Sequence, residues 1–413
     1  MMKRSTLLRI GLPAALAFLL LIAPLWIGGS PYIMHLAITA FYYAILAASW
    51  SLLAGYAGQF SFAHMSFMAI GAYAAALYGT YIRITTVATE TCREIPFFGR
   101  WLVILDPIGI SQSSQTNCLD LARQTMPAGS MIIQPSIWWG LLFGVVAGGL
   151  FGLLIGALVL RLRSTYLALF TIGFSEILRA VISAEIDITQ GQSGLEMAPL
   201  FPNGITLFGH SYSASDKIPP YYVMLALFLV IMLILSWVVS SRIGLFIRAI
   251  REDQEASAAL GVHVVRYKVL VFTITAMMAA AAGVIQGHYI GIITPNILII
   301  LQMSLVIAMA VIGGLENIYA AAIGAVILLF GLELLRNSFT IGPVTIDMTT
   351  WRLVAFGLVL MITLRFFRNG LISPLIDRVM RRNVARETVA LRNAATAAAT
   401  PTATTAGEGG SDE

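Results

Sequence analysis

Charge is scarce in this sequence. Asp, Glu, Lys and Arg make up 11% of its 413 residues, and lysine occurs only at Lys3, Lys217 and Lys268. With 58% of residues hydrophobic, too few polar side chains remain to cover a soluble core. None of the three lysines follows a glycine, so no Gly-x-x-x-x-Gly-Lys-Ser/Thr loop exists to cradle a nucleotide. ATP, if used, has to be handled by another chain. The five histidines are scattered singly, without a His-Glu-x-x-His pattern, and two cysteines alone make no zinc site. Neither a metal nor another cofactor is expected. The net charge of +5 is not gathered on one face of a soluble domain, so it is no nucleic-acid footprint.

What the chain does have is long apolar runs. At roughly 20 residues per crossing, ten of them qualify: residues 12–28, 33–53, 62–81, 137–160, 165–183, 220–240, 269–292, 296–313, 317–336 and 351–367. The run 296–313 is the weakest, being short and ending in Gly313-Gly314. The expected fold class is all-α, a polytopic transmembrane bundle of about ten spans with two glycine-broken segments and a cytoplasmic coupling helix. The first run looks like a secretory signal but ends in Ile27-Gly-Gly-Ser-Pro31 without an Ala-x-Ala site, so it is expected to stay as a first helix.

Cytoplasmic loops retain Lys and Arg. With the N-terminus inside, the inner segments hold 17 of the 25 Lys/Arg and the outer loops five. Both termini are then cytoplasmic, which requires an even number of crossings.

One polar interruption is dense in both signs of charge: from Arg242 to Lys268 there are five Lys/Arg and three Asp/Glu. Helix formers run from Glu255 to a glycine at Gly261, the pattern of a short helix with a defined stop. An energy-supplying partner is expected to grip the chain here, through Arg251, Glu252, Asp253, Glu255, Ala256 and Gly261.

Two apolar stretches are broken by glycine. In the first, Gln59, Ser61, His64 and Ser66 interrupt residues 52–73; in the second, Gly313-Gly-Leu-Glu-Asn carries Glu316 and Asn317. A helix break at membrane depth frees backbone groups that protein or a water-filled cavity must satisfy. These six polar residues are candidates for a translocation path. The competing account is close helix packing through small residues, with His64 a satisfied buried histidine.

Glu-x-x-Arg occurs twice, as Glu176/Arg179 and Glu333/Arg336, each pair on one helix face where it can neutralise itself as an intramembrane ion pair. The paired breaks and paired Glu/Arg motifs suggest a weak internal repeat.

The outer loop, residues 83–135, contains both cysteines, Cys92 and Cys118. Either they pair on the oxidising side of the membrane or they stay as two free thiols. A bridge would close a loop of about 27 residues and contribute on the order of 3 kcal/mol. The next outer loop, 184–220, contains Gly191-Gln-Ser-Gly194, a Gly-x-Ser-Gly pattern like that around the serine of rhomboid-type intramembrane proteases, with His288 in a later span. A nucleophile needs a base in reach and a fixed turn, and Pro199 and Pro202 follow Ser193 in place of a helix.

Residues 1–367 are thus expected to form one transmembrane domain, with the outer loop at 83–135 and the coupling loop at 241–268. A basic cytoplasmic segment, 368–393, and a disordered tail, 394–413, follow.

Several motifs in order carry a family resemblance: Gly55-Tyr-Ala-Gly-Gln-Phe-Ser61 followed by Gly71-Ala-Tyr73, Leu160-Arg-Leu-Arg163 before Tyr166, Arg248-Ala-Ile-Arg-Glu-Asp253, Ala259-Leu-Gly261, Arg266-Tyr-Lys268 and Gly313-Gly-Leu315. From about residue 33 to 374 the chain resembles the LivM-type permease of branched-chain amino acid ABC transporters. The resemblance implies a permease of the bacterial inner (plasma) membrane. Its implied partners are a second, LivH-type permease, two cytoplasmic ATP-binding subunits, a periplasmic or extracellular substrate-binding protein, and membrane lipid.

In that family the coupling helix reads Glu-Ala-Ala-x-x-x-Gly; Glu255, Ala256 and Gly261 match, and Ser257 replaces the second alanine. An outer segment close to Thr-Gly-Gly-x-Asn-Gly in the family is Thr189-Gln-Gly-Gln-Ser-Gly194 here, and the cysteine-bearing loop is longer. Relatives carry urea, amides or other amino acids. The implied function is inward movement of branched-chain or related amino acids, the chain itself being non-catalytic. A stand-alone ion-coupled transporter or channel, using Glu176 or Glu333, is the alternative from another class.

Overall fold

In a bilayer the backbone is satisfied by helices or by a closed barrel, and unbroken apolar runs of this length, without the alternation of barrel strands, form helix. A computed structural model describes residues 17–80, 136–159, 164–336 apart from 187, 203 and 208, 348–367 and 370–374, with short strands at 83–84, 93–97, 100–104, 132–133, 339–341 and 344–346. Cys92, Cys118, residues 160–163 and the segments 375–393 and 394–413 lie outside the described residues.

Among the described residues a helix overlaps each of the ten expected runs, without every one being long enough to cross a membrane: α1 (Ala17–Ile27), α2 (Pro31–Ser51), α3 (His64–Thr80), α4 (Ile137–Val159), α5 (Ser164–Ala184), α6 (Ile218–Ser240), α9 (Val264–Ile290), α10 (Ile300–Gly313), α11 (Ile318–Leu334) and α12 (Met348–Phe366). Two polar helices, α7 (Arg242–Glu252) and α8 (Gln254–Ala259), fill the charged loop.

Five of these, α2 with its extension to Tyr56, α4, α5, α6 and α9, are long and apolar enough to cross a membrane alone. The α10–α11 pair passes jointly but is bent by 118°, which makes a sixth if it is one broken span. At 14 residues, α10 falls short of a full crossing, because the chain turns at Gly313-Gly314.

Packing is close where side chains are small. Helix α4 carries Gly140, Gly144, Gly148, Gly152 and Gly156, one per turn, all buried, while Leu150, Leu154 and Leu158 on its other side are more than half exposed. A Cβ on Gly144 would stand 2.5 Å from the Gly71 carbonyl oxygen of α3, and one on Gly148 would stand 2.4 Å from Ala280 Cβ of α9. Backbones thus approach in the small-residue manner of membrane helices, with large apolar side chains turned outward. The interior is centred on α2 and α9, where Trp50, Ile38, Ile45, Phe272 and Ala279 are fully buried.

Short strands occupy the connections. In the segment expected to be a long outer loop the described residues form four, β1 (Arg83–Ile84), β2 (Arg93–Phe97), β3 (Arg100–Ile104) and β4 (Ile132–Ile133), in the order β2-β3-β1-β4. Strand β5 (Leu195–Glu196) pairs antiparallel with β8 (Ile292–Ile293), pinning the turn after α5 to the end of α9. Hairpins β6–β7 (Ile205–Leu207, His210–Tyr212) and β9–β10 (Phe339–Ile341, Val344–Ile346) complete them.

The helix directions sort the polar residues into two ends. One end gathers the break after α2, the α7–α8 loop and the α10–α11 turn; the opposite end gathers His35, Lys217, Tyr289 and Glu333.

Candidate functional site

The charged loop folds as two helices broken at Asp253, where the sequence indicated one. Ser241 caps α7 by accepting from Ile243 N at 3.2 Å. Asp253 then adopts an extended backbone, φ −150° and ψ 112°, and its Oδ1 accepts from Glu255 N at 2.9 Å and Ala256 N at 3.0 Å. An aspartate there both breaks α7 and starts α8. Gly261, at φ +85°, ends the turn as the sequence pattern indicated. Of α8 only Ser257 is buried. Glu252, Asp253, Glu255, Ala256 and Gly261 are exposed, and Leu260, 85% exposed, stands at its tip.

Arg251 points the other way, into the bundle. Its Nη1 donates to the Gly55 carbonyl and its Nη2 to Glu316 Oε1. The Gly55 carbonyl belongs to a π-helical turn, Leu52–Tyr56, closed by Ala57 N to Leu52 O at 3.2 Å. Such turns widen a helix and leave carbonyls free for other donors. Glu316 lies in the α10–α11 turn, just before Asn317, which caps α11 by accepting from Tyr319 N at 3.0 Å and Ala320 N at 3.2 Å.

The two breaks also touch directly. Ser51 Oγ donates to Leu315 O at 2.7 Å, and a Cβ on Gly55 would fall 1.7 Å from that same oxygen. One turn back along α7, the Arg248 guanidinium lies 4.9 Å from the centre of the Tyr56 ring. The loop is therefore fastened to both breaks at once. Arg251 and Glu316 side chains are 33% and 68% exposed, so their charge attraction is screened and contributes on the order of 1 kcal/mol or less. The bond to Gly55 supplies the geometry.

The first break is buried. Gln59, Ser61, His64 and Ser66 are all buried, and none lines either of the two cavities described here. His64 Nε2 lies 2.9 Å from Ser49 Oγ, Trp50 Nε1 donates to Ser61 O at 2.8 Å, and Ser66 Oγ meets Ser175 Oγ at 2.5 Å. Phe62 N donates to Thr171 Oγ1 at 3.0 Å, so two hydroxyls of α5 dock it onto the junction. Gln59 Oε1 and Nε2 and His64 Nδ1 have no hydrogen-bond partner among the described residues.

Both Glu/Arg pairs close: Arg179 Nε to Glu176 Oε2 at 2.9 Å, and Arg336 Nη1 to Glu333 Oε1 at 2.9 Å. Tyr32 also donates to Glu333 Oε1. Ser193 sits exposed in the 3-10 turn Gly191–Ser193. His288 directs Nδ1 to Ala198 O at 2.8 Å, and no hydrogen bond joins it to Ser193, so the protease geometry does not form. No group of three or more His, Cys, Asp or Glu able to hold a metal occurs among the described residues.

Sequence reasoning placed Arg248 only in a family motif and passed over Thr171 and Ser175; the partners of all three are distant in sequence. It also passed over the glycine stripe of α4, which a four-residue spacing count from Gly140 to Gly156 would have found.

A bundle of apolar helices packed on glycine, with a polar two-helix loop fastened to two helix breaks, defines a polytopic membrane permease. Residues 32–364 match the family model for the branched-chain amino acid transport system / permease component, and the chain belongs to that family. It is 30% identical over 226 residues to the high-affinity branched-chain amino acid transport system permease protein LivM of Salmonella typhimurium and of Escherichia coli, covering 49% of this chain and 52% of each relative. The chain thus matches about half the length of these curated relatives. The permease protein BraD of Pseudomonas aeruginosa is 24% identical over 351 residues, 82% of this chain and 94% of that one. Escherichia coli LivH is 35% identical over 145 residues, 35% of this chain and 46% of that one. No solved structure matches the chain at a significant level.

Proposed function

We propose that this chain is a permease subunit of an ABC importer that moves branched-chain or related amino acids inward across the bacterial inner membrane. Partner ATPases drive it through α7 and α8, and both termini are cytoplasmic. The observation that carries this reading is the position of Arg251: in the last turn of α7, two residues before the Asp253 that caps the exposed α8, it bonds to both breaks in the bundle. A partner closing on Glu252, Asp253, Glu255, Ala256, Leu260 and Gly261 would move α8, and Arg251 passes the motion to the Gly55 turn and the Glu316 turn together. Glycines at the contact keep the backbones close enough for a small displacement to be felt.

The other members of the complex are a LivH-type permease, two ATP-binding subunits and a substrate-binding protein on the opposite face. Gln59, Ser61, His64, Ser66, Glu316 and Asn317 flank the route that opens when the breaks separate. Glu176 and Glu333 are each neutralised by a neighbouring arginine, which suits a structural role better than ion coupling.

The test is a mild-detergent pull-down of the tagged chain with ATPase activity measured in the eluate. Co-purified P-loop subunits with vanadate-sensitive hydrolysis support the importer. A chain that purifies alone and drives uptake that collapses with an uncoupler overturns it in favour of ion coupling.

A further inference from the structure

At the end of the bundle opposite the α7–α8 loop lies a cavity of about 340 Å³, roughly the lower limit for small-molecule pockets. Four segments build it: the start of α2, the turn at 199–201, the turn at 213–217 that leads into α6, and the end of α9. Leu200, Phe201 and Ile290 give it an apolar wall, and His35, Asp216 and Lys217 bring polar groups to the same space.

The two charges are adjacent and unspent on each other. Among the described residues neither Asp216 nor Lys217 makes an ion pair. Lys217 Nζ donates to Pro31 O at 3.2 Å, and its other two hydrogens meet no acceptor among the described residues. Asp216 Oδ2 accepts from Ser213 N at 2.8 Å, and Oδ1 meets no donor among the described residues. Behind them the floor is held rigid: His35 Nδ1 meets Tyr289 OH at 2.7 Å with the rings stacked at 5.6 Å, and His288 is anchored on Ala198 O.

A free ammonium and a free carboxylate side by side, facing an aliphatic and aromatic wall, match a zwitterionic head carrying an apolar side chain. We propose that this cavity is a low-affinity receiving site in the permease itself for an aliphatic amino acid, with Lys217 taking the carboxylate, Asp216 the ammonium, and Leu200, Phe201 and Ile290 the side chain. The proposal rests on the importer reading and deepens it by naming where this chain touches its cargo. Affinity on the order of 1 mM suits a site that must release what it receives.

The experiment uses the assembled complex in nanodiscs, without the binding protein, and measures radiolabelled leucine by scintillation proximity. Saturable binding is expected. Lys217→Met should weaken it about tenfold, the worth of one charge-assisted hydrogen bond, and should abolish the preference for leucine over isopentylamine, which lacks the carboxylate. Asp216→Asn should abolish the preference over 4-methylpentanoate, which lacks the ammonium. Lys217→Arg, which keeps the charge and the bond to Pro31, should bind leucine within about threefold of the wild type, a result that loss of a merely structural lysine contact would not produce in this paired form.

ATP-driven leucine uptake is then measured with the binding protein restored. Uptake by the wild-type complex, with no saturable leucine binding or with binding unmoved by Lys217→Met, overturns the receiving site and leaves the importer standing. An assembled complex with neither uptake nor binding overturns the amino acid importer reading as well.

Discussion

Arg251 and Glu316, 65 residues apart in the chain, meet where two helix breaks meet, and the second arm of the same guanidinium holds the Gly55 carbonyl. A planar fork with fixed donors can grip two acceptors from different segments at once; an ammonium on a flexible stem holds no such angle.

Replacing Arg251 by Met should therefore leave the bundle folded, because the pair is partly exposed and electrostatically weak. Uptake should fall at least about tenfold while basal ATPase activity persists, and Lys should restore it only in part. Melting temperature, ATPase rate and uptake measured on one preparation separate the effects. Uptake unchanged in Arg251→Met would falsify the coupling role, and so would normal uptake in a variant lacking both Arg251 and Glu255.

Gly55→Ala attacks the same junction by volume. The added Cβ would fall 1.7 Å from Leu315 O, a backbone atom with no freedom to step aside. The breaks must separate, at a cost of about 2 kcal/mol or more, seen as a lower melting temperature in detergent. Gly173→Ala on α5 is the control: nothing lies within 4 Å of its added methyl group, and replacing a mid-helix glycine there should stabilise by roughly 0.5–1 kcal/mol.

Leu260 gives a prediction about assembly. It is 85% exposed at the tip of α8, so Leu260→Asp removes no internal packing and should leave melting within about 0.5 kcal/mol of the wild type. A carboxylate buried in an interface without a partner is strongly disfavoured. Loss of the ATP-binding subunits from the pull-down, at unchanged expression, is the expected outcome, and full retention would place the grip elsewhere.

These predictions differ in how far the sequence led to them. The spans were legible because twenty consecutive apolar residues have few alternatives, and the stop at Gly261 because only glycine is at ease at φ +85°. The short α10 was foreshadowed by Gly313-Gly314. The clamp was not legible: Arg251 and Gly55 are separated by 196 residues, and no local pattern joins them. The cavity around Lys217 is built from two turns and two helix ends, each unremarkable alone. Gln59 and His64 were singled out as polar residues in an apolar run, a signal that does not distinguish a route from a packed junction.

Gln190 is where a departure in sequence became a structural observation. Against the family pattern close to Thr-Gly-Gly-x-Asn-Gly, Gln190 falls where a glycine is expected, and it stands at φ 57°, ψ 18°, the one non-glycine residue with positive φ among those described. A side chain in the left-handed region is strained by roughly 1–2 kcal/mol. Gly191 and Gly194 follow at φ +54° and +78° and are hemmed in by backbone: a Cβ on Gly194 would be 2.3 Å from Ile293 O. Their neighbours leave the turn no room to relax by shifting the strain along the chain.

Gln190→Gly should therefore stabilise, by less than the full strain because glycine also frees the unfolded chain; a gain of up to about 1 kcal/mol is expected. Gln190→Val, with a branched Cβ in the same region, should lose at least that much and loosen the pairing of β5 with β8 that seats the turn on α9. Hydrogen exchange at Leu195 and Met197, whose backbone takes part in that pairing, reads the effect directly. Slower exchange in the glycine variant and faster exchange in the valine variant are the expected pair, and identical exchange in both would show that the turn is held by its glycines alone.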